Sequence, residues 1–229
     1  MKDLFFDAGN TLLLYDYGMV ARTVSRTGFE VTADQVMRAE YQVRFEVDRL
    51  VAPYLIDPHR EIPRMADILP YGNFHAHLLS LIGVPERLIP ELDEALREIS
   101  GALWSSADPG TRGVLDGLKR RGHRLHVISN SDGSVEGLLR EAGLRETLEH
   151  VFDSHVVGLE KPNPAFFRHA MRTAGARPEQ SAYFGDFYSI DYLGSRAAGM
   201  TGVLFDRGDL YRHAPCARIT HLSQVVSVL

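Results

Sequence analysis

Leu4-Phe5-Phe6-Asp7-Ala8-Gly9-Asn10-Thr11-Leu12-Leu13 is the stretch on which the fold turns. Leu4-Phe5-Phe6 is a compact apolar run and reads as a buried strand. It stops at Asp7, and Gly9 marks a tight turn directly behind it. Four more runs of this kind follow: Arg124–Ser129, Val151–Val157, Ser181–Phe184 ending at Gly185-Asp186, and Gly202–Phe205 ending at Asp206. Arg218-Ile219-Thr220 adds an edge strand.

Between these runs the apolar spacing becomes helical. Val114, Leu115 and Leu118 precede the second strand, and Lys119-Arg120-Arg121-Gly122 closes their helix with positive charge and a glycine. Leu138, Leu139 and Leu148 separate the second and third strands. Phe166, Phe167, Ala170 and Met171 follow Pro164, a residue suited to a first helical turn. Strands alternating with helices imply an α/β fold, with a parallel sheet covered on both faces. Residues 15–104 break the alternation. Val20, Val24, Val36, Val43, Leu78, Leu79, Leu81, Leu92 and Leu96 suggest amphipathic helices, punctuated by Pro53, Pro58, Pro63, Pro70 and Pro85. The expected layout is a core of residues 1–14 and 105–229, interrupted after its first strand by a helical cap, 15–104.

Composition narrows the function. A formal net charge of -5 supplies no basic footprint, so nucleic acid is not an expected partner. The single cysteine, Cys216, excludes an internal disulfide and fits a reducing cytoplasm. The N-terminal apolar run is too short and too acidic for a signal peptide, and no run is long enough to span a membrane.

Four groups of polar residues fall at the carboxyl ends of the expected strands, the edge where ligands bind in open α/β sheets. Asp7 there suits a nucleophile, a metal ligand or a turn-capping aspartate. Ser129-Asn130-Ser131 offers a hydroxyl and backbone N–H groups to phosphate oxygens, or an ordinary helix cap. Gly158-Leu159-Glu160-Lys161-Pro162 holds one of only three lysines, with Lys2 and Lys119; it balances negative charge or sits in solvent. Gly185-Asp186 through Asp191 carries two carboxylates on a strand-end loop, suited to a hard divalent cation or to water.

Taken in order, these motifs resemble the haloacid dehalogenase superfamily. The resemblance runs through Phe5–Leu13, Val127–Asn130, Gly158–Pro164 and Tyr183–Asp191, and extends to a final core helix at Gly194–Met200. The placement and helical character of the cap resemble a C1-type cap. This resemblance implies a Rossmann-like sheet of order 5-4-1-2-3 with the Asp7 strand central, and a site between core and cap. It further implies that Asp7 attacks phosphorus and forms an aspartyl-phosphate. Ser129 and the Asn130 backbone would hold phosphoryl oxygens, and Lys161 would neutralise Asp7 and the phosphoryl group. Mg²⁺ would be bound by Asp7, the Gly9 carbonyl and Asp186, with Thr11 and Asp191 in support. The implied partner is a small phosphorylated metabolite, taken by a monomer or homodimer without membrane or nucleic acid.

One position departs from the family pattern. Family phosphatases carry a second aspartate two residues after the nucleophile, where this chain has Gly9. General acid–base catalysis is worth about 10²–10⁴-fold. Its proton carrier could come from the cap, with Asp16, Asp57, His59, His75 and His77 as candidates. The substrate could instead have a good leaving group, such as an acyl or aryl phosphate, or the protein could bind phosphate with little turnover. A metal-independent 2-haloacid dehalogenase also lacks that aspartate, but its fourth motif lacks the carboxylate found here at Asp186. A Schiff-base phosphonatase needs a cap lysine, and no lysine lies between Lys2 and Lys119. Phosphoglucomutase-type chemistry needs the missing acid/base.

Overall fold

The computed structural model describes residues 2–57 and 61–229, so Pro58 and His59 lie outside the described residues. The chain divides into two compact units, one of residues 1–14 and 105–229 and one of residues 15–104.

In the first unit, six described strands form one parallel sheet: β1 Asp3–Phe6, β2 Arg124–Ser129, β3 His150–Asp153, β4 Ser181–Gly185, β5 Thr201–Phe205 and β6 Arg218–Ile219. Their order is β3-β2-β1-β4-β5-β6, which is the expected 5-4-1-2-3 read from the other edge, with β6 added beyond β5. All four residues of β1 are buried, because parallel neighbours flank it and both faces are covered. Phe5, Ile128, Phe152 and Tyr183 lie in one core cluster with Phe166, Phe167, Ala170 and Met171 of the helix Pro164–Thr173. Complete burial of each such aromatic or aliphatic side chain contributes about 1.5–3 kcal/mol. That helix starts as its sequence predicts: Pro164 occupies the first turn and Asn163 Oδ1 accepts from Ala165 N at 2.9 Å. The helix Thr111–Arg120 buries Thr111, Leu115 and Leu118 on one stripe, and Gly122 follows it with φ +83°.

Two expectations are corrected. The run Val151–Val157 is not a single strand. β3 ends at Asp153, whose carboxylate accepts from His155 N at 2.9 Å and caps a helical turn over Ser154–Val157. That cap removes Val156 from the sheet and leaves it 75% exposed. Asp191 does not lie on a loop either: it sits within a wide π-helical turn, Tyr188–Leu193, which runs into a short helix, Gly194–Ala197.

The second unit contains only helices and turns among its described residues. Its main helices are Tyr17–Ser25, Ala33–Ile56, Phe74–Ile82 and Ile89–Glu98. Asp16, Thr32 and Asn73 cap the first three; Thr32 and Gln35 close a reciprocal capping box. No helix among the described residues is long and apolar enough to cross a membrane.

Candidate active site

Parallel pairing delivers the polar residues to one edge of the sheet. Phe6 pairs with Val127 and with Phe184, so β1, β2 and β4 end side by side. Asp7 leaves β1 with its N–H donating to Phe184 O at 2.8 Å. Ser129 closes β2 and is buried, and Asp186 leaves β4 and is buried.

Lys161 reaches this edge from the segment after β3. Its Nζ lies 2.8 Å from Asp7 Oδ1, 2.7 Å from Asp191 Oδ1 and 3.0 Å from the Tyr183 hydroxyl. The ammonium is thus bracketed by two carboxylates, with 2% of Lys161 exposed. Asn130 fixes the lysine's backbone through its side chain. Oδ1 accepts from Lys161 N at 2.8 Å, and Nδ2 donates to Lys161 O at 2.9 Å. Lys161-Pro162 is a cis peptide. Asp191 is held in turn: Oδ2 accepts from Phe187 N at 2.9 Å, and Oδ1 lies 3.1 Å from the Tyr183 hydroxyl. Tyr183 also donates to Ile128 O at 3.0 Å, tying the cluster to β2. Gly185 is required by this arrangement, because a Cβ there would stand 2.4 Å from Asp191 Cγ.

The electrostatics follow from burial and charge. Burial pushes the Asp7 carboxyl above its ordinary range; Lys161 opposes that rise and Asp191 adds to it. For Lys161, burial alone would favour the neutral amine. Asp191 and Asp7 together outweigh it, and the ammonium is held above its usual range. The Tyr183 hydroxyl is raised well above its usual value by burial and by the charges of Asp191 and Asp7, so it stays a proton donor.

Asp7, Asp186 and Asp191 each bring one carboxylate oxygen within 4.8 Å of the others, all three buried. An all-oxygen set of this kind suits a hard divalent cation. Nearby, Thr11 Oγ1 is buried without a hydrogen-bond partner. Gly9 is not among the glycines with positive φ, so its backbone does not itself demand glycine.

Thus Asp7, Lys161, Asp186 and Asp191 come together, with Ser129, Asn130 and Thr11 on the same segments. Two contributions were missed from sequence: the Tyr183 hydroxyl and the side-chain clamp of Asn130. A tyrosine inside the otherwise apolar run of β4 was the available signal for the first. Of the cap candidates, Asp16 caps its helix, accepting from Met19 N at 2.7 Å. His77 Nε2 is 2.8 Å from Glu46 Oε2, and the imidazole of His75 stacks on Tyr15, with its basicity lowered by burial. Asp57 follows the helix Ala33–Ile56 and is exposed.

The sequence profile of the haloacid dehalogenase-like hydrolases matches residues 1–199, and the chain belongs to that family. The chain is 37% identical over 130 residues to the mouse haloacid dehalogenase-like hydrolase domain-containing protein 3, covering 56% of this chain and 52% of the relative. It is 40% identical over 98 residues to a glyceraldehyde 3-phosphate phosphatase of Methanothermobacter thermautotrophicus, covering 42% and 43%. The chain therefore spans about half the length of these curated relatives. Among solved structures, a magnesium-bound putative hydrolase of this family from Bacillus subtilis superposes with a TM-score of 0.73 at 17% identity, covering 100% of this chain and 98% of that one. An L-2-haloacid dehalogenase superposes with a TM-score of 0.66 at 22% identity, covering 100% and 98%. Both structural likenesses concern the fold alone.

Proposed function

We propose that this chain is a Mg²⁺-dependent phosphatase of small phosphorylated metabolites with Asp7 as nucleophile. The observation that carries the reading is Lys161 Nζ at 2.8 Å from Asp7 Oδ1, beside the buried carboxylates of Asp186 and Asp191. Asp7, Asp186 and the Gly9 carbonyl would hold the cation, with Asp191 nearby. When bound, the cation supplies positive charge that favours a phosphate dianion beside these carboxylates and stabilises charge building on its oxygens. Lys161 neutralises Asp7 and the incoming phosphoryl group, while Asn130 and Tyr183 keep it in place. Ser129 and the start of the following segment take phosphoryl oxygens. One Asp7 oxygen bonds to phosphorus as the P–O bond to the leaving group breaks and its electrons leave with the aryloxide or acylate. Water then cleaves the aspartyl-phosphate, releasing phosphate and restoring the Asp7 carboxylate. Phosphoryl transfer depends mainly on such positioning and charge stabilisation.

Gly9 favours leaving groups that need no proton, such as acyl or aryl phosphates. It also supports a second reading, a phosphate-binding or regulatory protein with little turnover. Asp186 argues against a metal-independent dehalogenase, as does the phosphatase name carried by the archaeal relative.

An aryl phosphate assay with and without Mg²⁺ tests the reading, with Asp7→Asn expected to abolish turnover. Metal-independent turnover, or turnover that survives Asp7→Asn, would overturn the mechanism. In single-turnover experiments, a long-lived phosphorylated Asp7 or no chemistry would favour the binding protein; rapid phosphate release removes it.

A further inference from the structure

Toward the amino-terminal end of the same sheet lies a second group of ligating side chains. His126 of β2 and His150 of β3 are register partners, so their side chains share one face. Their rings lie 5.4 Å apart between centroids, and Phe5 stacks on the other side of His126 at 4.6 Å. Glu149 directly precedes His150, and its N–H donates to Leu125 O at 2.8 Å, which anchors the segment beside β2. One potential ligand atom from each of His126, Glu149 and His150 falls within 4.8 Å of the others.

The independent observation concerns His126. It is fully buried, yet Nδ1 has no hydrogen-bond partner and Nε2 has only the Asp3 carboxylate beside it. A buried polar group left unpaired costs about 1–3 kcal/mol, and such a group calls for an explanation. Asp3 Oδ1 stands 3.5 Å from His126 Nε2, and Arg124 Nη2 stands 2.5 Å from the same oxygen. Arg124 also donates to Ala174 O at 2.8 Å. Asp3 is therefore in the place of the carboxylate that commonly backs a metal-bound histidine. The charges of Glu149 and Asp3 outnumber that of Arg124.

We propose that His126, Glu149 and His150 form a site for a borderline transition-metal cation of the Zn²⁺ type, separate from the Asp7 cluster. Two imidazoles and one carboxylate are an established zinc donor set, leaving a fourth position for water. Bonds of about 2.1 Å in a tetrahedron put ligand atoms roughly 3.4 Å apart, closer than the 4.8 Å limit of the present group. Glu149 is exposed and His150 half-buried, so side-chain rotation of these two can close that gap onto the fixed His126. The Asp7 cluster offers only oxygen donors and discriminates differently: it favours Mg²⁺, whereas nitrogen donors favour Zn²⁺ and Co²⁺.

The test is a Co²⁺ titration of the full chain in excess Mg²⁺, followed by visible absorption, with Zn²⁺ as competitor and thermal melting as a second readout. The expected result is one Co²⁺ per chain with the intense bands of tetrahedral nitrogen-containing coordination, displaced by Zn²⁺. His150→Ala and Glu149→Gln should each weaken binding by at least about tenfold and cancel the rise in melting temperature that Zn²⁺ gives. Glu149 is exposed and His150 half-buried, so if the His150 variant fails to fold the Glu149 variant decides. Absence of the bands, affinity unchanged in a folded variant, or loss of binding through Asp186→Asn instead would overturn the proposal.

Discussion

Replacing Lys161 with methionine separates what the lysine does for the fold from what it does for the site. The side chain is nearly isosteric in its stem and leaves the core volume filled, so the lost quantity is the ammonium. That charge lies 2.8 Å from Asp7 and 2.7 Å from Asp191, with both partners buried. Breaking a buried ion pair by removing one partner typically destabilises by about 3–5 kcal/mol, because the remaining charge is left without compensation. For a chain of this size roughly 2–4 °C accompany each kcal/mol, so the melting temperature should fall by about 6–20 °C. The measurement is urea and thermal unfolding in EDTA, so that no added cation substitutes for the lysine. The gap from wild type should narrow as pH falls, because protonating Asp7 removes an orphaned charge. Lys161→Met with Asp191→Asn should regain part of the stability but none of the turnover. A single variant within about 1 kcal/mol of wild type would refute the reasoning and mean that water already reaches the pair.

Three further outcomes are expected. Gly185→Ala places a Cβ 2.4 Å from Asp191 Cγ, so it should destabilise by about 1–3 kcal/mol and depress turnover by moving Asp191; urea unfolding and initial rates check both, and near-wild-type values would contradict the packing. Burial holds the His126 imidazole down to about 4 against an ordinary 6.5. The unfolded chain therefore takes up this proton first, and stability present above pH ~6.5 should be lost progressively toward pH ~4, by up to about 3 kcal/mol. His126→Leu should flatten that part of the stability–pH curve in EDTA, and an unchanged slope would remove His126 as its source. Finally, Gly9→Asp should raise turnover of alkyl phosphates more than aryl phosphates, if the proton carrier is all that is lacking. Equal effects on both would point to a different obstacle.

Much of this was legible from residue order because the parallel sheet is built from short, largely buried and mostly apolar runs, each stopped by a polar residue. Asp7 after Phe6 and Asp186 after Gly185 are read directly from that pattern. The end of β3 was not: Val151–Val157 is apolar enough for a strand, and what ends it is the Asp153 carboxylate turning back to His155 N. Such a local cap competes with the sheet on energies too close to rank from composition. In sequence Tyr183 reads as one more strand residue, since its hydroxyl gains meaning only when Lys161 and Asp191 arrive from other segments. The pairing of His126 with His150 likewise depends on register, and a single-residue slip would put them on opposite faces.

Register also links the two clusters. His150, His126, Phe5 and Tyr183 form one continuous row across β3, β2, β1 and β4. Phe5 and Tyr183 are buried against the helix Pro164–Thr173, where an apolar partner covers the ring. Tyr183 can carry a polar head because its hydroxyl extends past that apolar layer to Ile128 O and Lys161. His126 sits in the same row without such a reach: Nε2 has only Asp3 Oδ1, at 3.5 Å, and Nδ1 finds no hydrogen-bond partner among the described residues. The same layer thus resolves a polar atom on the Asp7 side and leaves one unresolved on the other. That asymmetry is why a bound cation is a better account of His126 than a packing role, which leucine or phenylalanine would fill without the desolvation penalty.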